Sequence, residues 1–278
     1  MYVSLNGTLT AGRLGWPEFA ELAAKAGFLG VDLNLGKAME AGLEQTRTLL
    51  AKLRLKPAIS GLPVEFRKDD TLFQQGMGKL DEAARFTALL GCPRMSTWIM
   101  PSSDLPKPEQ RKIYLDRFQA VAAVLAKHNV RLGLENVSPV HLRKRSPHEF
   151  IWRTDEMLDF AKECGPNVGL LLDSWHWHHA EGKISDIIAA GKARIIHVQA
   201  ADAPKLAPED IRDNERLMPG EGIIDFNAFF GALKKIGYID GVSPEIFGRG
   251  LKDMPPEEGA KLGLETTVAA MKKAGVLS

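Results

Sequence analysis

Four polar side chains interrupt apolar runs in the second half of this chain. Glu135 follows Gly-Leu, Asp173 follows three leucines, His197 follows two isoleucines, and Glu245 follows Ser-Pro. A carboxylate left alone in such surroundings costs several kcal/mol of desolvation, and three converging carboxylates would repel one another. A divalent cation resolves both problems, with the imidazole as a fourth ligand. The expected cofactor is therefore one divalent metal ion held by Glu135, Asp173, His197 and Glu245. Oxygen-rich coordination favours Mn2+ or Mg2+, and the single nitrogen donor also admits Co2+ or Zn2+. Taken singly, each residue reads as well as a cap, a loop ion pair or a hydrogen-bonded core histidine. Four on four successive strands, all at the same end, do not.

The elements that must position them alternate strictly. Candidate strands are Val3–Asn6, Gly30–Asn34, Lys56–Ser60, Arg94–Trp98, Arg131–Glu135, Val168–Asp173, Arg194–Gln199 and Val242–Ile246. Candidate helices between and after them are Trp16–Ala26, Leu43–Leu53, Thr71–Leu90, Pro108–His128, Thr154–Glu163, Lys183–Ala190, Phe226–Ile236 and Glu258–Ala274. Gly27 and Gly237 read as C-terminal stops behind a lysine, and Thr154 as an N-cap. Continuous apolar strands such as Val-Gly-Leu-Leu-Leu (168–172) suit parallel strands covered on both faces by helices. Eight βα units predict a single (β/α)8 TIM barrel over residues 1–278, a length that fits one such domain. No GxGxxG or P-loop follows the first strand, which argues against an open nucleotide-binding sheet. The long irregular stretches 136–153 and 200–225 each follow a strand's C-terminal end, where a barrel carries its active-site loops.

The bulk composition excludes several classes. Thirty-six basic and 35 acidic residues give a net charge of +1, without the cationic excess expected of a nucleic-acid binder. No apolar stretch approaches the ~20 residues that span a bilayer. Two cysteines, Cys92 and Cys164, are too few for a disulfide framework, and the first residues lack a secretory pattern. The expectation is a cytoplasmic enzyme with a small-molecule substrate and no nucleic-acid or membrane partner, with homo-oligomerisation left open.

The strings Gly-Leu-Glu-Asn-Val (133–137), Leu-Leu-Asp-Ser-Trp-His (171–176), Ile-His-Val-Gln-Ala-Ala-Asp (196–202), Pro-Gly-Glu-Gly-Ile-Ile-Asp-Phe (219–226) and Ser-Pro-Glu-Ile-Phe (243–247) resemble the sugar phosphate isomerase/epimerase superfamily. This is the xylose isomerase-like TIM barrel group, and the likeness runs over the whole chain. The resemblance implies that Glu135, Asp173, His197 and Glu245 are metal ligands. It also implies a small-molecule carbohydrate substrate, with Glu135 and Glu245 as the acid/base pair that passes a proton through an enediolate. His176 matches the family's D-x-x-H, whose histidine contacts substrate oxygens. Gln199 and Trp98 are further candidate substrate contacts, and Asp202, Arg212 and Arg216 are loop residues without an assigned place. The basic loop with His141, Arg143, Lys144 and Arg145 hangs after the Glu135 strand. It would hold a substrate phosphate or carboxylate, or else be a solvated loop or oligomer contact. Where ketose 3-epimerases carry a further Glu and an Arg, this chain has His141 and Ala203, a departure from simple ketose epimerisation.

The readings that remain are an isomerase or epimerase, a lyase or dehydratase using the same site, and an endonuclease IV-like nuclease. The nuclease would need extra zinc-binding histidines where this chain has Ser60, Trp98 and Asn214-Glu215-Arg216. A non-catalytic barrel would keep convergent ligands for no chemistry.

Overall fold

The computed structural model describes residues 1–277 and is a closed parallel barrel. The strands are β1 (Tyr2–Leu5), β2 (Gly30–Leu33), β3 (Lys56–Gly61), β4 (Arg94–Ile99), β5 (Arg131–Asn136), β6 (Val168–Asp173), β7 (Ile195–Ala200) and β8 (Gly241–Pro244). Each pairs with its sequence neighbours, and β8 closes on β1 through Tyr2↔Gly241 and Val3↔Val242. This is the single (β/α)8 architecture expected. Every strand of β5 to β7 is buried along almost its whole length, because helices cover one face and barrel side chains fill the other.

The outer helices include Trp16–Ala26, Leu43–Leu53, Asp70–Leu89, Lys107–Ala126, Thr154–Cys164, Ile184–Arg194, Phe226–Lys235 and Pro256–Lys273. Gly27 stops the first at φ 98°, a left-handed turn that its missing Cβ permits. Thr154 is not the cap expected: Arg153 occupies that position, and Thr154 is the first helical residue, with a buried hydroxyl. Five features absent from the sequence expectation follow the C-terminal ends of the strands. They are a 3-10 turn (Gly7–Thr10), short helices Leu35–Ala41, Val140–Arg143 and Ser174–His179, and a two-stranded ribbon pairing Ser102–Ser103 with His148–Glu149. Each is too short to have a hydrophobic period, which is why sequence patterning misses them. No helix among the described residues is long and apolar enough to cross a membrane.

The loop after β7 is organised by one side chain. Asp202, fully buried, accepts backbone N–H groups from Ala203 (2.8 Å), Gly220 (3.0 Å), Gly222 (2.8 Å) and Ile224 (2.9 Å). A Cβ on Gly222 would press into the Ala203 carbonyl and the Asp202 carboxylate, so the Pro-Gly-Glu-Gly string is a backbone cradle around a carboxylate. Asp202 and Leu217 also exchange both backbone hydrogen bonds, at 2.8 and 2.9 Å. The segment between them is thereby returned to the barrel mouth.

Candidate active site

At the C-terminal ends of β5 and β6, Glu135, Asp173 and His176 bring one ligand atom each within 4.8 Å of the others, and all three are buried. Asp173 ends β6 and caps the next helix, accepting from the N–H of Trp175 at 2.7 Å. That cap directs His176, one turn later, back over the same carboxylate. Glu245 joins from the residue after β8, its N–H held on the Ala200 carbonyl of β7. Glu135, Asp173 and Glu245, three of the four residues expected as metal ligands, are thus brought together, with His176 beside them. A cavity of about 430 Å3 opens above them, lined by Glu135, His176, Glu245, Trp98, Phe247 and others, a size that suits a small metabolite.

His197 does not join them. Adjacent-strand register pairs His197 with Leu171, but Gln199 with Asp173. The histidine thus lies two residues below the mouth, about 6–7 Å deeper along the strand. Its Nε2 meets Ser243 Oγ at 2.8 Å, and Ser243 in turn donates to Asp32 Oδ1 at 2.8 Å. With the hydroxyl proton given to Asp32, the imidazole must donate from Nε2. Burial pushes its pKa down to about 3, so it is a neutral core histidine in a polar seam. The residue at the mouth on β7 is Gln199, whose amide donates to Glu245 Oε1 at 2.7 Å while its own Oε1 is buried and unpartnered among the described residues. The period-two alternation of a strand makes positions 197 and 199 equivalent in face, and only the register separates them.

The other expected contacts divide. Trp98, 45% exposed, walls the cavity with the Arg67 guanidinium stacked 3.8 Å from its ring centre. His141 sits on the short helix, partly buried, and is not among the lining residues. Arg143 is turned away: it donates to the Ser138 and His179 carbonyls at 2.6 and 3.4 Å, over the ring of Trp152. A guanidinium so engaged braces the loop, and Arg145 is the arginine of this loop that lines the cavity.

Arg216 is the largest surprise. The loop closed by Asp202 and Leu217 delivers its guanidinium, 1% exposed, into the middle of the acidic group. Nη1 donates to Asp173 Oδ2 at 2.7 Å and Glu245 Oε2 at 3.1 Å. Nη2 donates to Asp213 Oδ1 at 2.8 Å and lies 3.0 Å from His176 Nε2. The carboxylates raise the Arg216 pKa above its usual value despite burial. Nothing in the sequence distinguishes Arg216 from other loop arginines, because apart from Asp213 its partners come from two distant segments.

The electrostatics separate the carboxylates. Burial first, then the neighbouring Glu245 and Asp173, push Glu135 well above the ordinary glutamate range, and burial pushes Glu245 up to about 7. Glu135 Oε1 is buried with no hydrogen-bond partner among the described residues. Burial and the Arg216 charge lower His176 to about 4, so its ring is neutral. The Ser138 N–H approaches Nδ1 at 3.3 Å and Arg216 approaches Nε2. A neutral imidazole has one acceptor nitrogen, so one of these contacts faces donor to donor. The unpartnered oxygens of Glu135 and Gln199, beside Asp173 and Glu245, make a donor set that fits a hard divalent cation.

The model of the xylose isomerase-like TIM barrel family matches residues 20–270. The chain belongs to that family. A xylose isomerase domain protein from Alicyclobacillus acidocaldarius has the same fold at TM-score 0.90, with 28% identity and 99% of each chain covered. The inosose isomerase of Bacillus subtilis (strain 168) is 35% identical over 176 residues, 63% of this chain and 61% of that protein. The matched segments cover 38% to 61% of the inosose isomerases' own length. A 3-dehydroshikimate dehydratase of Pseudomonas putida is 29% identical over 95% of this chain and 40% of its own length. The crystal structure of the IolI protein with a binding zinc atom shares the fold at TM-score 0.84 and 22% identity, with 99% of each chain covered. The two curated relatives named are an isomerase and a dehydratase, both enzymes.

Proposed function

We propose that this chain is a divalent-metal-dependent isomerase or epimerase of a small hydroxy-carbonyl compound of the sugar or inosose type. Glu135 and Glu245 are its proton-transfer pair. The observation that carries the reading is the pair itself: two buried carboxylates lining one cavity, with Glu245 brought to about 7. A base near neutrality is the one that most readily takes a proton at physiological pH. Glu135, beside Glu245 and Asp173, favours its protonated form and returns a proton to the opposite face of a planar intermediate. Trp98 and Phe247 form the apolar walls.

Glu135, Asp173 and Glu245 would hold the metal ion, with Gln199 Oε1 and His176 Nε2 as further donors. His197, with its Nε2 on Ser243 Oγ, is left out of this proposed set. Such a cation acidifies the C–H beside the carbonyl it chelates. A set dominated by oxygen favours Mn2+ or Mg2+, and the zinc in the IolI structure makes Zn2+ the first alternative to assay.

The test is solvent exchange in D2O with inososes, hydroxypyruvate and ketohexoses, with and without added Mn2+. Deuterium entering at the carbon beside the carbonyl, without loss of water and abolished by chelator, is expected. No exchange on any of them would defeat the proposal. A dehydrated product would favour a lyase, a reading that the dehydratase relative matched over 95% of the chain supports.

A further inference from the structure

The Arg216 guanidinium occupies the position a metal ion would need. A cation bound by both Asp173 and Glu245 has to lie about 2.0–2.6 Å from an oxygen of each. Nη1 already lies between those same oxygens, at 2.7 and 3.1 Å. Two cations cannot share that seat. The guanidinium also has an outward anchor: Nε and Nη2 both donate to Asp213 Oδ1, at 3.2 and 2.8 Å, and the Asp213 side chain is 34% exposed. Its contacts leave the cluster incompletely satisfied. Glu135 Oε1 and Gln199 Oε1 are buried without a hydrogen-bond partner among the described residues, and of the two N–H approaches to the neutral His176 ring, from Arg216 and from Ser138, one faces donor to donor. The aromatic faces of Trp175 and Phe247, 4.9 and 4.7 Å from its central carbon, bound the path along which it can turn.

We propose that Arg216 is an internal counter-cation that holds the carboxylates together in the metal-free protein and competes with the metal ion for Asp173 and Glu245. It must withdraw, still paired with Asp213, before the ion can bind. This rests on the metal-dependent reading above. The competition costs metal affinity and protects the fold: without either cation, buried carboxylates face one another. It makes loop 203–216 part of the metal-binding step, because the arm and its anchor Asp213 both belong to that loop.

The test compares chelator-stripped wild type, Arg216→Lys and Arg216→Met in calorimetric titrations with Mn2+ alone. Lysine keeps the positive charge but lacks the forked reach to bridge two carboxylates. Arg216→Lys is therefore expected to bind Mn2+ about tenfold tighter or more, the scale of one charge-assisted hydrogen bond lost to the competitor. Arg216→Met should bind tighter still. Simple charge repulsion would leave the lysine variant at wild-type affinity, and that result overturns the proposal. Asp213→Asn, at the more exposed end, tests it without touching the arm. Loss of the outward anchor should weaken Mn2+ binding severalfold, and unchanged binding overturns the proposal. If none of the four proteins binds Mn2+, the metal reading falls and this one with it. If all bind but Arg216→Lys is no tighter, only the competition falls.

Discussion

Asp202→Asn should be among the most damaging single-atom exchanges in this protein. The wild-type carboxylate accepts four backbone N–H groups, two on each oxygen, with no exposure to solvent. Asparagine keeps one oxygen. Its amide nitrogen, placed on either side, faces two N–H donors instead of accepting from them. Two charge-assisted bonds at about 1.5–3 kcal/mol each are lost, and local relaxation returns part of that, leaving a destabilisation of about 4 kcal/mol. With an unfolding entropy of about 2.1 cal/mol/K per residue, this corresponds to a fall in melting temperature of about 7 °C. Circular dichroism melts at matched pH measure it. Limited proteolysis supplies a second observable, since the segment that Asp202 ties down should become cleavable before global unfolding. A melting temperature within about 2 °C of wild type would refute the reasoning, because the carboxylate would then be doing no more than an amide can.

Three further outcomes follow from the site. Glu245→Gln should lower turnover by at least about 100-fold, the scale of general-base catalysis, while steady-state titration shows Mn2+ binding partly kept through the remaining oxygen donors. His197→Leu should cost stability, since it strands Ser243, yet leave Mn2+ affinity within about twofold; Gln199→Leu should weaken it. In chelator-treated protein, Glu245 has a folded-state pKa of about 7, raised by burial. The stability linked to it is full below the unfolded value of about 4.3 and is lost as pH rises through about 7. Added Mn2+ should therefore raise the melting temperature more at pH 8 than at pH 5, by differential scanning fluorimetry. An equal effect at both values would count against the buried-carboxylate account.

The barrel was legible because its signals are long and repeated: apolar strands, helical stretches and eight alternations leave few other topologies. Glu135, Asp173 and Glu245 were legible for the same reason, each breaking an apolar run at one end of a strand. His197 broke such a run equally well, but the depth of a residue in a barrel depends on stagger between neighbouring strands, and no local pattern encodes stagger. Arg143 and Arg145 are two residues apart in a basic loop, and sequence cannot tell which one braces carbonyls and which lines the cavity. Arg216 and Asp213 were out of reach for a further reason. Their significance lies in contacts with residues about 30 to 40 positions away in either direction, made through a loop of no regular period.

The paired backbone bonds between Asp202 and Leu217 divide the labour of this face of the barrel. They form a neck, and everything beyond it is an excursion whose two ends meet at a fixed place. Lengthening, shortening or rewriting that excursion changes what is presented to a substrate without transmitting strain to β7 or to the helix that follows. A descendant of this chain can thus rework the outer part of that excursion while Glu135 and Glu245 stay on their own strands, provided that it keeps Arg216 and Asp213, the two side chains by which the excursion reaches the buried carboxylates.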